Sequence, residues 1–286
     1  MIDEVLKKAE NNKKLSDEEY IQLLKIDNRE DLDKLCNIAV KIRDENIDQI
    51  KLTSTIHITN KCQIYPRCKY CGFATETSTD GYYDSFFKNK YEILEAAKSI
   101  EEAGIPRVSC SGGHGYNGKQ AIKATEIVKD NTSLEVLVNV CRMIDDAGVS
   151  LSSGILIGLG ESLEDRVAHL HFLNTFKNLE EIPLMGFNPY KGTPMENHPA
   201  SPLEEQLKMI AVTRIMYPGI RITVPTPTIG PENVVYSLNA GASNLATVIA
   251  DNYPLDVKGV GSPICGNFKD VMSVINNLDL KAQTLC

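Results

Sequence analysis

Three closely spaced cysteines, Cys62, Cys68 and Cys71, constrain this chain more than any other feature. Five residues separate the first two, and two separate the last pair. The stretch before them, Leu52-Thr53-Ser54-Thr55-Ile56-His57-Ile58-Thr59, alternates and is β-branched, which predicts a strand. The cysteines then lie in the loop leaving the strand's C-terminal end, where β/α barrels place their chemistry. Three thiolates so close together suit a metal. Structural zinc takes four protein ligands, and with no second Cys or His pair at finger spacing, His57 is the candidate fourth. An iron–sulfur cube is usually held by four thiolates; three leave one iron open to a substrate or cofactor. A disulfide does not suit a reducing compartment. Three unrelated core cysteines are the bland alternative.

The composition fits one soluble globular enzyme: 286 residues, 42% hydrophobic and 24% charged, enough for a sizeable core. A net charge of -8 argues against nucleic acid or an anionic membrane as partner. No apolar run approaches a membrane span, and the polar N-terminus does not read as a signal peptide. Eight cysteines without secretory signals point to a reducing, cytoplasmic setting and a metal site.

Along the chain, helices alternate with strands. Residues 1–50 read as a helical lead-in packed on the bottom or side of a barrel spanning 51–286. Ser16 with Glu19 forms a capping box, and Asn28 caps the next helix, where Cys36 falls in the core. A loop over 78–83, a helix ending at Gly104, a strand over 107–110 and a helix over 120–130 follow. Leu134 to Val140 reads as a third strand, and 149–157 as the next one in the chain. Only eight residues, 141–148, lie between them, fewer than the roughly ten to twelve that a βαβ crossover needs. Strands near 184–187, 220–224 and 245–250 and a last helix over 268–278 complete the pattern. His169 and His171 lie two apart on a helix and do not share a face. Arg142 and Arg166 are candidate cations for a bound carboxylate, and Arg166 equally reads as a solvated helix residue.

Four motifs stand in order: the cysteine loop with Tyr70 just before Cys71; Ser109-Cys110-Ser111-Gly112-Gly113-His114; Gly154-Ile155-Leu156-Ile157-Gly158-Leu159-Gly160-Glu161; and Asn188-Pro189-Tyr190-Lys191-Gly192-Thr193-Pro194. Together they resemble the radical S-adenosylmethionine (SAM) superfamily, in its biotin-synthase-like branch, from about Leu15 to the C-terminus. The usual cysteine spacing there is three then two. The five-then-two spacing here resembles the maturases associated with the iron-guanylylpyridinol cofactor of [Fe]-hydrogenase. Methylornithine synthase and the [FeFe]-hydrogenase maturase are the neighbouring alternatives in that branch.

The resemblance implies a TIM-type β/α barrel. Set against it, the short 141–148 link makes the barrel incomplete, lacking strand 4 and its flanking helices. The resemblance further implies a [4Fe–4S] cluster on Cys62, Cys68 and Cys71, with SAM on the fourth iron. It sets Tyr70 beside the adenine, Gly112 and Gly113 at the methionine ammonium, and Leu156 and Ile157 under the adenine. Glu161 is either a SAM-site residue or a cap for the next helix. The expected partners are a small-molecule substrate, an electron donor such as ferredoxin or flavodoxin, and other cofactor-maturation proteins. No substrate-side catalytic residue emerges. The resemblance gives a second, sulfur-donating cluster to biotin synthase. Of its ligand positions only Cys110 matches, with Leu137 and Ser152 at the others, so sulfur insertion is not expected and Cys110 is either a core thiol, the favoured reading, or a substrate-facing one. A protein that holds a cluster without turning SAM over is the alternative from another class.

Overall fold

The structure, a computed structural model, describes residues 2–60, 68–71, 86–112, 134–250 and 266–285. Cys62, Gly113 and the expected loop over 78–83 and helix over 120–130 lie outside the described residues.

The N-terminal lead-in is three helices: α1 (Ile2–Glu10), α2 (Asp17–Leu24) and α3 (Arg29–Asn46). Ser16 caps α2 in a full capping box with Glu19, and the Asn28 side chain accepts from the Asp31 amide at the start of α3. One stripe of α3, Leu32, Leu35, Ala39 and Ile42, is buried. Packing puts α3 along α7 (Leu203–Met216), so the lead-in lies against the helical layer. On α7 the buried Arg214 donates to the carbonyls of Gly241, Pro218 and Ile220 and to Ser243 Oγ. These bonds tie the helix to the loops beneath the sheet. They let a guanidinium sit in the core although burial pulls its pKa down to about 9.

The sheet is parallel. Its strands are β1 (Lys51–Thr59), β2 (Arg107–Gly112), β3 (Leu151–Ser152), β4 (Ile155–Ile157), β5 (Leu179–Gly186), β6 (Arg221–Pro225) and β7 (Asn244–Ala246). Their order is β2-β1-β7-β6-β5-β3, with β4 also on β5. First and last strands are therefore neighbours, as when a βα repeat curls into a barrel. A separate pair, β8 (Val248–Ile249) with β9 (Gly266–Asn267), leads into α10 (Phe268–Asn277). Outward-facing Leu52, Ile56, Ile182, Ile222, Val224 and Leu245 form the core under the helices. The inward face is polar: Thr55 Oγ1 lies 3.0 Å from Ser109 Oγ and 3.3 Å from Thr247 Oγ1. Such an interior departs from the branched apolar layers usual in β/α barrels.

Several sequence expectations need correction. Leu134 to Val140 is not a strand but the start of helix α5 (Leu134–Asp146). Its β-branched composition resembles a strand, yet Leu134, Leu137, Val138, Cys141 and Ile144 recur at helical spacing through the predicted link. Strand 149–157 is broken into β3 and β4 at Gly154, where any Cβ would stand 1.9 Å from the Pro183 carbonyl oxygen. Strand 245–250 breaks at Thr247, a non-glycine residue at φ 58. Cys110 is exposed rather than core: it pairs with Ile56 in register, on the outward face, where Val108 is 45% exposed. Arg166 is buried rather than solvated.

Candidate active site at the C-terminal ends of the strands

The cysteine loop is pinned at both ends to β1. Thr59 Oγ1 donates to the Phe86 carbonyl at 2.7 Å, the Phe86 amide donates to buried Asn60 Oδ1 at 3.0 Å, and the Lys88 amide donates to the Ile58 carbonyl at 2.8 Å. The buried Lys88 ammonium donates to the His57 carbonyl at 2.9 Å and lies 4.5 Å from the Phe86 ring centre. Burial, reinforced by the Lys88 charge, pushes the His57 pKa down to about 4, so its imidazole is neutral at physiological pH.

Between these anchors, the Cys71 amide donates to the Cys68 carbonyl at 3.4 Å, closing a tight turn with Lys69 and Tyr70 at its tip. Both thiols are half-buried. Burial raises the Tyr70 phenol pKa, as do the adjacent Cys68 and Cys71 and a hydrogen bond to Cys68. Two partly shielded sulfurs on one turn, beside an aromatic, fit a soft thiolate-bound centre. Burial pushes Cys36 up to about 11, which leaves a protonated thiol away from this site. Among the described residues no three His, Cys, Asp or Glu side chains gather around a metal-sized space; the third cysteine of the motif lies outside them.

Gly112 ends β2 opposite Thr59, and a Cβ there would come 3.0 Å from the Thr59 carbonyl. A glycine is thus needed where β2 passes the root of the cysteine loop. Among the described residues, Gly112 is an expected SAM residue that the structure sets against the end of β1.

Across the barrel, β4 ends in the Gly158–Gly160 turn. Glu161 accepts the Gly158 amide at 2.8 Å and the Leu159 amide at 2.9 Å. Arg166 donates from Nε to Glu161 at 2.9 Å and from Nη1 to Glu205 at 2.7 Å. Glu205 in turn meets Lys208 at 2.5 Å. Burial alone raises the Glu161 carboxyl, but the two amides and Arg166 outweigh it and hold the pKa below the ordinary value. Glu161 is therefore engaged in shaping the turn. Glycines at φ +96 and +106 allow that shape, and a Cβ at Gly158 would meet Ser201 at 2.9 Å. Ile157 is buried among Leu184, Met209 and Ile210 on the outer side. Leu156, next in the alternation, falls on the inner face opposite Met185. The structure thus places Leu156 and Gly112 at the same end of the parallel sheet, while Ile157 supports from behind.

Sequence reasoning missed the buried Arg166–Glu161 pair, although Glu161 and Arg166 lie within one turn of a helix start. His169 bonds the Gly154 carbonyl at 3.1 Å and His171 lies 2.8 Å from Asp17, so the two diverge as expected.

The chain has relatives throughout its length. The Biotin and Thiamin Synthesis associated domain family matches residues 183–252. The protein MJ0785 of Methanocaldococcus jannaschii is 47% identical over 314 residues, covering 93% of this chain and 84% of that protein. Biotin synthase of Clostridium botulinum is 25% identical, covering 87% of this chain and 70% of the enzyme. The crystal structure of methylornithine synthase (PylB) superposes with a TM-score of 0.82 at 20% identity over 97% of both chains, which fixes the fold. The chain is a radical SAM enzyme that uses a [4Fe–4S] cluster and SAM, and it belongs, with the M. jannaschii protein, to the biotin-synthase-like radical SAM family.

Proposed function

We propose that this enzyme is an HmdB-type maturase acting in biosynthesis of the iron-guanylylpyridinol cofactor of [Fe]-hydrogenase. The observation that carries the reading is the five-then-two spacing of Cys62, Cys68 and Cys71. The cluster, when bound with SAM, supplies one-electron cleavage to methionine and a 5′-deoxyadenosyl radical that abstracts hydrogen from substrate. The chain's part is to bind, orient and shield. Cys62, Cys68 and Cys71 are the assigned cluster ligands. The Cys68–Cys71 turn and the hydrogen bonds that join Phe86 and Lys88 to β1 support this reading, and Tyr70 stands beside Cys68. Gly112 and Gly113 are assigned to the methionine ammonium through backbone carbonyls. Leu156 is assigned to the adenine, with Ile157 packed behind it and Glu161 holding the turn above. The polar barrel interior suits a small hydrogen-bonding substrate. A ferredoxin or flavodoxin in the cytoplasm is the expected electron donor.

We also infer that the barrel is shorter than that of its relatives. The alignment with the M. jannaschii protein spans 314 positions, yet 93% of 286 residues fills only about 266 of them, so about 48 have no counterpart here. Among the described residues β2 and the β3/β4 segment are the sheet's two ends, and the outer face of β2 is exposed. With 134–146 a helix, the described residues between β2 and β3 hold α5 and no strand, so on this reading the positions without a counterpart fall in that stretch, the part that the family uses for ribose and carboxylate contacts. Arg166 does not replace them, being committed to Glu161 and Glu205. Each lost charge-assisted contact weakens SAM binding by about 1.5–3 kcal/mol, or roughly ten- to a hundredfold.

The test is anaerobic reconstitution, SAM calorimetry and assay of 5′-deoxyadenosine with reductant. Weak SAM binding with slow release of 5′-deoxyadenosine is expected. Low-micromolar binding refutes the shortened site, and no release under any donor favours a cluster-holding protein. For the pathway, the gene should restore [Fe]-hydrogenase cofactor to a host lacking its own copy. Failure there, with formation of 3-methylornithine, would favour the methylornithine synthase reading.

A further inference from the structure

The opposite end of the barrel carries an excess of positive charge. By the alternation of the strands, Lys51 on β1, Arg107 on β2 and Arg221 on β6 share the inward face with Thr53, Ser109 and Thr223. All three stand at the first position of their strands, hence at the N-terminal mouth. One carboxylate shares that face, Glu181 on β5, and a second, Glu180, lies on the opposite face of β5 but close enough to act on Lys51. Glu181 Oε2 lies 3.3 Å from Arg107 Nη2 and 3.4 Å from Arg221 Nη1. Its Oε1 accepts the Thr223 hydroxyl and the Asn244 amide, the latter at 3.3 Å. Both oxygens are thus engaged. Arg107 Nη1 and Arg221 Nε are nevertheless buried and without a hydrogen-bond partner.

Buried charged donors left unmade are costly, and native structures rarely keep two side by side. An ion-pair plug of Glu181 and Glu180 leaves one cation of the three in excess and does not satisfy Arg107 Nη1 or Arg221 Nε. Burial, with the neighbouring Arg221 and Arg107 charges, also holds the Lys51 ammonium below the ordinary lysine value. Beside them opens a cleft of about 460 Å³, lined by Lys51 and Arg221 with Gln49, Glu180, Ser243 and Gly219. That volume suits a small ligand. Glu180, next to Glu181 on the strand, takes the opposite face in the alternation and marks the rim.

We propose that the N-terminal mouth of the barrel, at Lys51, Arg107 and Arg221, binds an oxyanion group, phosphoryl or carboxylate, of a small molecule. The site lies at the far end of the sheet from the cysteine loop and does not rest on the maturase reading. A planar guanidinium pair with an ammonium matches two or three oxygens of one anion. In a chain of net charge -8 it is a local reversal of sign.

The test is calorimetry of the full, cluster-loaded chain with inorganic phosphate and, separately, succinate, against chloride at equal ionic strength. Saturable binding of at least one is expected, with phosphate alone identifying a phosphoryl site and succinate alone a carboxylate site. Lys51→Gln should weaken that binding at least tenfold while leaving the cluster absorbance and melting midpoint unchanged. Arg221→Gln should do the same to binding, but it also touches Glu181, so the lysine variant decides. Heats that rise without saturation for both anions, or unchanged affinity in both Lys51→Gln and Lys51→Glu, overturn the proposal.

Discussion

The wall of β5, β6 and β7 and the flank of β2, α4 (Lys90–Glu102) and α5 follow the same strand-and-helix logic but are finished differently. On the wall, Ile182, Ile222 and Leu245 are fully enclosed beneath α3 and α7, and Arg214 stitches helix to loops. On the flank, Val108 on β2, Leu94 on α4 and Met143 on α5 are exposed, and so is Val149 just before β3. A strand needs its outer face covered before its residues contribute to stability; on the flank, the described residues leave that cover incomplete. The wall should therefore set the stability of the molecule, and the flank should tolerate change.

The sharpest test substitutes one residue on each side. Ile222→Ala removes a wholly buried side chain and should cost about 3–4 kcal/mol in urea unfolding. A cost below about 1 kcal/mol would break the comparison. Arg166→Ala should follow, at about 2–3 kcal/mol, because it leaves Glu161 and Glu205 partly buried without their cation. It should also weaken SAM binding by loosening the Gly158–Gly160 turn, a coupling that calorimetry reads separately from the melting midpoint.

A smaller effect concerns acid. Burial raises the Glu181 carboxyl, but the Thr223 hydroxyl together with Arg107 and Arg221 outweighs it, and its folded pKa lies below the ordinary value of 4.5. Glu161 and Glu205 are lowered likewise. A depressed folded pKa means stability fully present above the unfolded value and lost as pH falls through the folded one. Denaturant midpoints should hold from pH 7 to about 5 and drop below 4.5, and Glu181→Gln should make that drop shallower. A midpoint that climbs on acidification would contradict the sign. The smallest effect belongs to the flank: Val108→Ala and Met143→Ala should each stay within about 0.5 kcal/mol of the parent. A larger loss would mean that the flank is covered in solution.

The cluster site offers a contrast of another kind. Cys68→Ala and Cys71→Ala should each abolish the cluster's visible absorbance after reconstitution, whereas Cys36→Ala should preserve it. The first two thiols sit on an anchored turn and the third is held protonated on a helix.

What the sequence determined was local. The alternation of Leu52 to Thr59 gave β1, Ser16 with Glu19 and Asn28 gave the starts of α2 and α3, and the order of four motifs gave the family. Each depends on residues a few positions apart, whose spacing survives in a one-dimensional string. Leu134 to Val140 misled because β-branched residues suit a strand by composition, while the helical spacing needed the following turn to be read with it. The tertiary structure decided the rest. Arg107, Glu181 and Arg221 meet only because parallel pairing brings three distant strands into register on one face. Thr247 takes a left-handed backbone because its carbonyl accepts the Thr226 hydroxyl while its own hydroxyl turns toward Thr55. Arg166 is buried because α7 brings Glu205 against it on one side while Glu161 holds it on the other. Charge, burial and strain at these positions are set by neighbours tens to hundreds of residues away, and no local pattern encodes which of them will be adjacent.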